Sequence, residues 1–194
     1  MFITIEGIDG AGLSTQSGLL NEYLLKKGKK TLLTKEPTNS LIGGLVKAAL
    51  KKEWSTNNIA LQTLLVADRA HHLASEIEPV LKKNVIVICD RYILSSIAYG
   101  SLDIPLQHLK QLNSIFRKPD ITILLDAHPK IALERIKTSR YSVELFETEQ
   151  HLTQVRKNYL SLKNFFSNTY VIDANNPADQ VFKDILKAVE KKIY

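Results

Sequence analysis

The sequence predicts an α/β fold, a doubly wound five-stranded parallel sheet with helices on both faces. Three observations carry that expectation. Five short apolar runs rich in branched residues recur along the chain, and amphipathic stretches of helical spacing separate them. The glycine-rich segment EGIDGAGLST, residues 6–15, lies between the first run and the first helical stretch. Strands alternating with helices need crossover connections, so the strands run parallel and are covered on both faces.

In chain order, strands are expected at Phe2–Ile5, Thr31–Thr34, Val85–Cys89, Ile121–Leu125 and Tyr170–Ile172. Helices are expected at Ser14–Lys27, Ile42–Lys52, Ile59–Lys82, Tyr92–Tyr99, Leu106–Phe116, Lys130–Lys137, Glu147–Phe166 and Ala178–Lys192, the last started by Asn175-Asn176-Pro177. With 194 residues, 44% of them hydrophobic, the chain suffices for one core, and residues 1–194 read as a single domain without repeats or linkers. In such a sheet the ligand sits beyond the carboxyl ends of the strands. Those ends carry Glu6 to Asp9, Lys35-Glu36-Pro37, Asp90-Arg91 and Asp126.

The net charge of +6 raises a polyanionic partner, but the lysines are dispersed in pairs such as Lys26-Lys27, Lys51-Lys52, Lys82-Lys83 and Lys191-Lys192. These fall at expected helix ends, where cations complement the helix dipole, and read as solvated termini rather than a nucleic-acid groove. There is no apolar run of membrane-spanning length, and the opening residues lack the basic n-region of a secretory signal. A soluble cytoplasmic protein with neither nucleic-acid nor membrane partner is expected. The lone cysteine, Cys89, sits inside an apolar run and reads as packing rather than a reactive thiol. The Lys-rich, Arg-poor composition with one Cys and one Met points to a thermophile.

The segment Gly7 to Ser14 nearly spells the phosphate loop G-x-x-x-x-G-K-[ST]: Gly7, Gly12 and Ser14 are in register, while Leu13 stands at the lysine position. Its backbone N–H groups at a helix mouth suit an anion. The loop residues Gly7, Ile8, Asp9, Gly10, Ala11, Gly12, Leu13, Ser14 and Thr15 are therefore candidates to hold a phosphate, the alternative being a turn without a ligand. Ser14 would offer its hydroxyl to Mg²⁺, and Asp90, closing an apolar strand, is the second carboxylate needed to order waters around that ion. The alternative is an Asp90–Arg91 pair capping the next helix.

The succession of Gly7-Ile8-Asp9-Gly10-Ala11-Gly12, Lys35-Glu36-Pro37, the stretch LLVADR at 64–69, DRYILSSIAY at 90–99 and KPDITILLD at 118–126 resembles thymidylate kinase nearly from end to end. The resemblance implies a P-loop nucleoside monophosphate kinase, usually a homodimer, that moves the γ-phosphoryl of ATP to dTMP with Mg²⁺. It implies that Asp9 accepts the sugar 3′-hydroxyl, Arg91 grips the monophosphate, Arg69 donates to the 4-oxo group of thymine and Ser96 reads the ring N3. Tyr99 would fill the space of a 2′-hydroxyl, with Glu36, Pro37 and Leu65 lining the same pocket. Without the resemblance, Arg69 could pair with Asp68 or Glu76 at the surface and Tyr99 could be core. A lid is expected at about residues 135–147, from which Arg135, Lys137 and Arg140 could reach the phosphates, although Lys137 also reads as an exposed helix end.

The chain departs from the family pattern at functional positions. Leu13 replaces the loop lysine, Leu65 the phenylalanine on which thymine stacks, Gly100-Ser101 a glutamine-glycine, and ELFE at 144–147 the lid's D-R-F-E. Some family members place an arginine at the position of Gly10 and others draw it from the lid; with Gly10 here, the lid must supply it, and Arg140 or Lys137 could cover part of the deficit at Leu13, whether that leucine is natural or engineered. Two other functions stay open on the sequence: a catalytically silent nucleotide-binding paralogue, and a P-loop kinase for another nucleoside monophosphate.

Overall fold

Branched side chains restrict χ1 and favour extended backbone, and all five apolar runs are strands in the computed structural model, which describes residues 1–139 and 148–193. They are β1 (Phe2–Gly7), β2 (Thr31–Lys35), β3 (Ile86–Asp90), β4 (Ile121–Asp126) and β5 (Thr169–Asp173). All pair in parallel, in the spatial order β2-β3-β1-β4-β5. Central β1 and β3 are buried throughout and β4 nearly so, which is why they read as mostly apolar runs; the edge strands β2 and β5 are only partly covered.

The helices are α1 (Leu13–Lys26), α2 (Leu41–Leu50), α3 (Asn58–His72), α4 (Glu78–Leu81), α5 (Ile93–Gly100), α6 (Leu106–Asn113), α7 (Pro129–Ser139), α8 (Glu149–Ser161) and α9 (Ala178–Ile193). The single helix expected at Ile59–Lys82 is instead α3, a π-helical turn at Leu73–Ile77 and α4. Pro79 lacks the N–H that would donate one turn back, and the helix widens just before it. The helix expected from Glu147 begins at Glu149, where the Thr148 side chain accepts from the His151 N–H at 3.2 Å.

The main core is the sheet with α1, α5, α8 and α9, and includes Phe2, Ile3, Ile5, Leu20, Ile88 and Ile123, all fully buried. Cys89 is buried there as expected. No helix among the described residues is long and apolar enough to cross a membrane. The consequence for function is the register: Asp90 at the tip of β3 lies beside Ile5 on one side and Lys35 on the other. The loops after β1, β2 and β3 therefore open onto one edge.

Candidate functional site

The loop after β1 turns into α1 at Gly12, whose φ of 95° is a conformation that disfavours side chains. The amides of Leu13, Ser14 and Thr15 open the helix and have no intrahelical carbonyl to bond, so they form a cradle for an anion. Ile8 and Ala11 contribute packing instead: both side chains are buried, and the Ala11 N–H is taken by the Ile8 carbonyl at 3.1 Å. Leu13 both lines the cavity and joins the core. At Gly10, φ is 76° and a Cβ would stand 2.2 Å from the Ala132 carbonyl oxygen, so no arginine fits there without moving α7.

Ser14 Oγ donates to Asp90 Oδ2 at 2.6 Å. A hydroxyl and a carboxylate brought together beside an anion cradle form a donor set that fits Mg²⁺, which binds oxygen ligands and keeps several waters. The next residue, Arg91, has φ 71°, a left-handed conformation that costs a non-glycine residue about 1–2 kcal/mol. Its N–H bonds the Ile5 carbonyl at 2.9 Å. Its guanidinium is tied on one side to Asp9 Oδ1 (2.6 Å, through Nη2) and on the other to the Gly7 carbonyl, Ser95 Oγ and Tyr159 Oη (3.1, 3.3 and 3.5 Å, through Nη1). The Nε–H and one Nη2–H have no partner among the described residues, and that edge is the one a phosphate can take in bidentate fashion. Burial pulls the Arg91 pKa down, but Asp9 foremost, with the neighbouring phenols and Asp90, holds it well above its ordinary value.

Asp9 is shared. Tyr99 Oη donates to Asp9 Oδ2 at 2.6 Å and accepts the Asp9 N–H at 2.9 Å, while the Arg91 guanidinium lies 5.4 Å from the Tyr99 ring centre. Burial and the Asp9 charge push the Tyr99 phenol well up, so it remains a donor. Behind this group, Glu6 accepts the Leu94 and Ser95 N–H groups at 3.1 and 3.0 Å and the Ser95 hydroxyl at 2.5 Å, capping the first turn of α5. Burial pushes the Glu6 carboxyl up to about 7, against the opposing pull of Ser95 and the two arginines.

At the other end of the cavity Arg69 is buried, and its partner is neither Asp68 nor Glu76. Arg69 Nε and Nη2 meet Glu36 Oε2 at 2.9 and 2.7 Å, Nη2 also donates to Ser96 Oγ at 2.8 Å, and Nη1 donates to Asn113. The rings of Tyr92 and Phe116 flank the guanidinium at 4.9 and 5.7 Å. Asp68 is buried on its own set of bonds, to the Thr38 N–H and the Thr38 and Ser40 hydroxyls.

These groups face one cavity of about 680 Å³, a size suited to a small organic ligand. It brings together Asp9, Glu36, Pro37, Leu65, Arg69, Arg91, Ser96 and Tyr99, all the residues expected around a substrate, with Gly10, Gly12, Leu13, Ser14, Thr15, Asp90 and Arg135 of the phosphate set. A larger depression of about 820 Å³ between Asp103 and the start of α8 contains none of these strand-tip residues. Arg135 lines the cavity, but its guanidinium rests on the carbonyls of Ala174 and Asn176 at 2.9 and 3.4 Å. Lys137 does not line it: two residues turn a helix by about 200°, and its side chain is exposed. Arg140 and the rest of the expected lid, residues 140–147, lie outside the described residues. Asp126 is likewise diverted, held by Arg156 through two bonds of 2.5 and 2.9 Å.

Sequence reasoning missed Lys47 and Lys51, which line the cavity together with Lys35. Lys51, read as a solvated helix end, does cap α2, but that end of α2 borders the cavity. Burial, then the charge of Lys35, lowers the Lys47 pKa, and Lys47 donates to Asn39 at 2.6 Å. Lys47 and Lys51 are one helical turn apart, so a shared face was the available signal.

A family model described as thymidylate kinase matches residues 5–185. Curated relatives named "Probable thymidylate kinase" include one from Pyrococcus horikoshii, 37% identical over 99% of this chain and 97% of its own length, and one from Thermococcus onnurineus, 38% identical over 100% of this chain and 98% of its own. A "Thymidylate kinase" from Thermosipho africanus is 37% identical over 100% of this chain and 99% of its own length.

The raised Glu6 pKa has a definite sign. Its contribution to stability is full below the unfolded value of about 4.5 and is lost as pH rises through about 7. In denaturant unfolding across that window, the stability advantage of wild type over Glu6→Gln should shrink by about 3 kcal/mol. An advantage constant with pH would contradict the assignment.

Proposed function

This chain belongs to the thymidylate kinase family, and on that premise we propose that it transfers the γ-phosphoryl group of ATP to dTMP, giving ADP and dTDP. The observation that carries the reading is the edge of the Arg91 guanidinium that has no partner among the described residues, anchored at the rim of the anion cradle and lining the same cavity as the buried Arg69. A nucleoside monophosphate with its 5′-phosphate on Arg91 and its base toward Arg69 and Ser96 spans these two cations. Asp9 Oδ1 and Oδ2 each hold one partner and keep lone pairs for a sugar hydroxyl. The Tyr99 hydroxyl bonds Asp9, which supports a role for its ring in excluding a 2′-hydroxyl from the sugar beside Asp9.

The loop amides of residues 13–15 hold the ATP phosphates, and Ser14 with Asp90 would hold Mg²⁺. That ion, when bound, neutralises the β- and γ-phosphate oxygens. The protein's own work is to align acceptor and donor and to oppose developing charge with Arg91 and the lid cations. Leu65 offers thymine an apolar contact without a stacking ring, which relaxes base choice. A single domain in a cytoplasmic homodimer completes the proposal, and the exposed Leu41, Leu45 and Ile59 on α2 and α3 offer apolar surface to a second copy.

Arg91→Ala should lower kcat/KM for dTMP by roughly 2 to 4 kcal/mol, because it removes charge-assisted bonds to the phosphate; steady-state kinetics giving an unchanged kcat/KM would remove Arg91 from the site. Leu13→Lys tests the missing charge. If the lid covers part of the deficit, restoring the lysine raises kcat by up to about 100-fold, and Arg140→Ala is far more damaging in the Leu13 background than beside Lys at that position. Simple additivity of the two substitutions would rule out compensation by the lid.

A further inference from the structure

Arg69 is held by Glu36, and Glu36 is in turn held by His72, a residue with no contact to the cavity. His72 is the last residue of α3, where the π turn begins, and its side chain is 2% exposed. His72 Nδ1 lies 3.1 Å from Glu36 Oε1, and Nε2 lies 2.9 Å from Glu76 Oε2. Thr34 Oγ1, on β2, is 2.8 Å from both His72 Nε2 and Glu76 Oε2. The hydroxyl has one proton and gives it to the carboxylate, so it accepts from the ring. Both ring nitrogens thus face acceptors only, and a neutral imidazole could satisfy one of them. The arrangement calls for an imidazolium. The π turn sets His72 and Glu76 side by side against Thr34, and such turns are frequent at functional sites.

Carboxylate Oε2 of Glu36 takes Arg69 while Oε1 takes His72, so charges alternate along the series Arg69, Glu36, His72, Glu76. The series runs from the cavity to the surface, ending on a Glu76 side chain that is 44% exposed. Resting on the reading above, we propose that His72 is a positioning residue: its imidazolium fixes Glu36, and through it the Arg69 guanidinium, so that dTMP affinity falls when His72 loses its proton.

The groups that face His72 are Glu36 after β2, Thr34 on β2, Glu76 from the π turn and Cys89 on β3, with Arg69 across Glu36. Burial, followed by the nearby carboxylates, pushes the Cys89 thiol well up, so it stays neutral and donates to the Arg91 carbonyl. For His72 itself, burial pulls the pKa down, but hydrogen bonds and charge from Glu36 and Glu76 outweigh it and raise the value above the ordinary 6.5. The clamp is therefore complete below about pH 6.5 and is released as pH rises through the raised value.

The test compares wild type, His72→Gln and Glu76→Gln from about pH 6 to about pH 9. Calorimetry measures dTMP affinity, and ¹⁵N NMR of the ligand-free protein measures exchange of the Arg69 Nε–H. In wild type, dTMP binding should weaken on the order of 10-fold as His72 deprotonates, the loss of one charge-assisted bond, and Arg69 exchange should accelerate with the same midpoint. His72→Gln should bind dTMP weakly with no loss of affinity as pH rises, and its Arg69 exchange should follow only the smooth rise of base-catalysed exchange. Glu76→Gln, which leaves the cavity untouched, should move the step to lower pH, and it carries the test alone if His72→Gln does not fold. A step that persists in His72→Gln, or that does not move in Glu76→Gln, would overturn the inference. If wild type binds no dTMP at any pH, the kinase reading fails, and the Arg69 exchange profile alone decides the role of His72.

Discussion

Arg91 occupies a left-handed backbone conformation at the tip of β3, and its ion pair with Asp9 is what makes that position useful. The parallel pairing of β1 with β3 brings the two residues together, because Ile5 lies beside Asp90 and the chain continues from each into a loop on the same edge. A cation at this place must be anchored without being used up. Asp9, the Gly7 carbonyl, Ser95 and Tyr159 occupy one part of the guanidinium and leave one edge without a partner among the described residues. Glu6 secures the base of the arrangement by capping α5, the helix that supplies Ser95, Ser96 and Tyr99.

The same economy of charge governs the rest of the cavity. Arg69 is buried against Glu36, and a buried arginine without a partner would cost several kcal/mol. The pair is fixed by the hydrogen bonds that Arg69 donates to Ser96 and Asn113 and by the bond between His72 and Glu36, leaving little freedom for the guanidinium to reorient. At the phosphate end, the position of the usual loop lysine is a leucine that belongs to the core. Gly10 is closed to a side chain by Ala132. Other elements bring positive charge to the cavity: Arg91, Arg135, Lys35, Lys47 and Lys51 all border it.

The sheet was legible because a strand buried on both faces is a mostly apolar run, and β1, β3 and β4 are such strands, with Thr4 and Thr122 bonded to each other between β1 and β4. The candidate site was legible as far as the residues that share its cavity sit at strand tips or in a loop of fixed spacing: Asp9, Ser14, Glu36, Asp90 and Arg91. Partnerships were not. Arg69 finds Glu36 33 residues away and Asn113 44 residues away, and its sequence neighbours Asp68, in α3, and Glu76, in the π turn, are taken by Thr38, Ser40, Thr34 and His72. Tyr99 gave no sign in its local pattern of meeting Asp9, 90 positions earlier. The π turn was hidden because one extra residue barely disturbs a long amphipathic stretch. Lys47 and Lys51 were hidden because a helix end can be solvated and still border a cavity.

The central claim is that two anchored guanidiniums and an anion cradle without its lysine still assemble a phosphoryl-transfer site. ³¹P NMR of the purified chain with ATP, Mg²⁺ and dTMP tests it most directly, since donor and acceptor phosphorus atoms are seen separately. Loss of the ATP γ signal with matching appearance of ADP and of a dTDP diphosphate pair, dependent on dTMP, is the expected result. ATP and dTMP signals that broaden on binding but persist unchanged in intensity would contradict it.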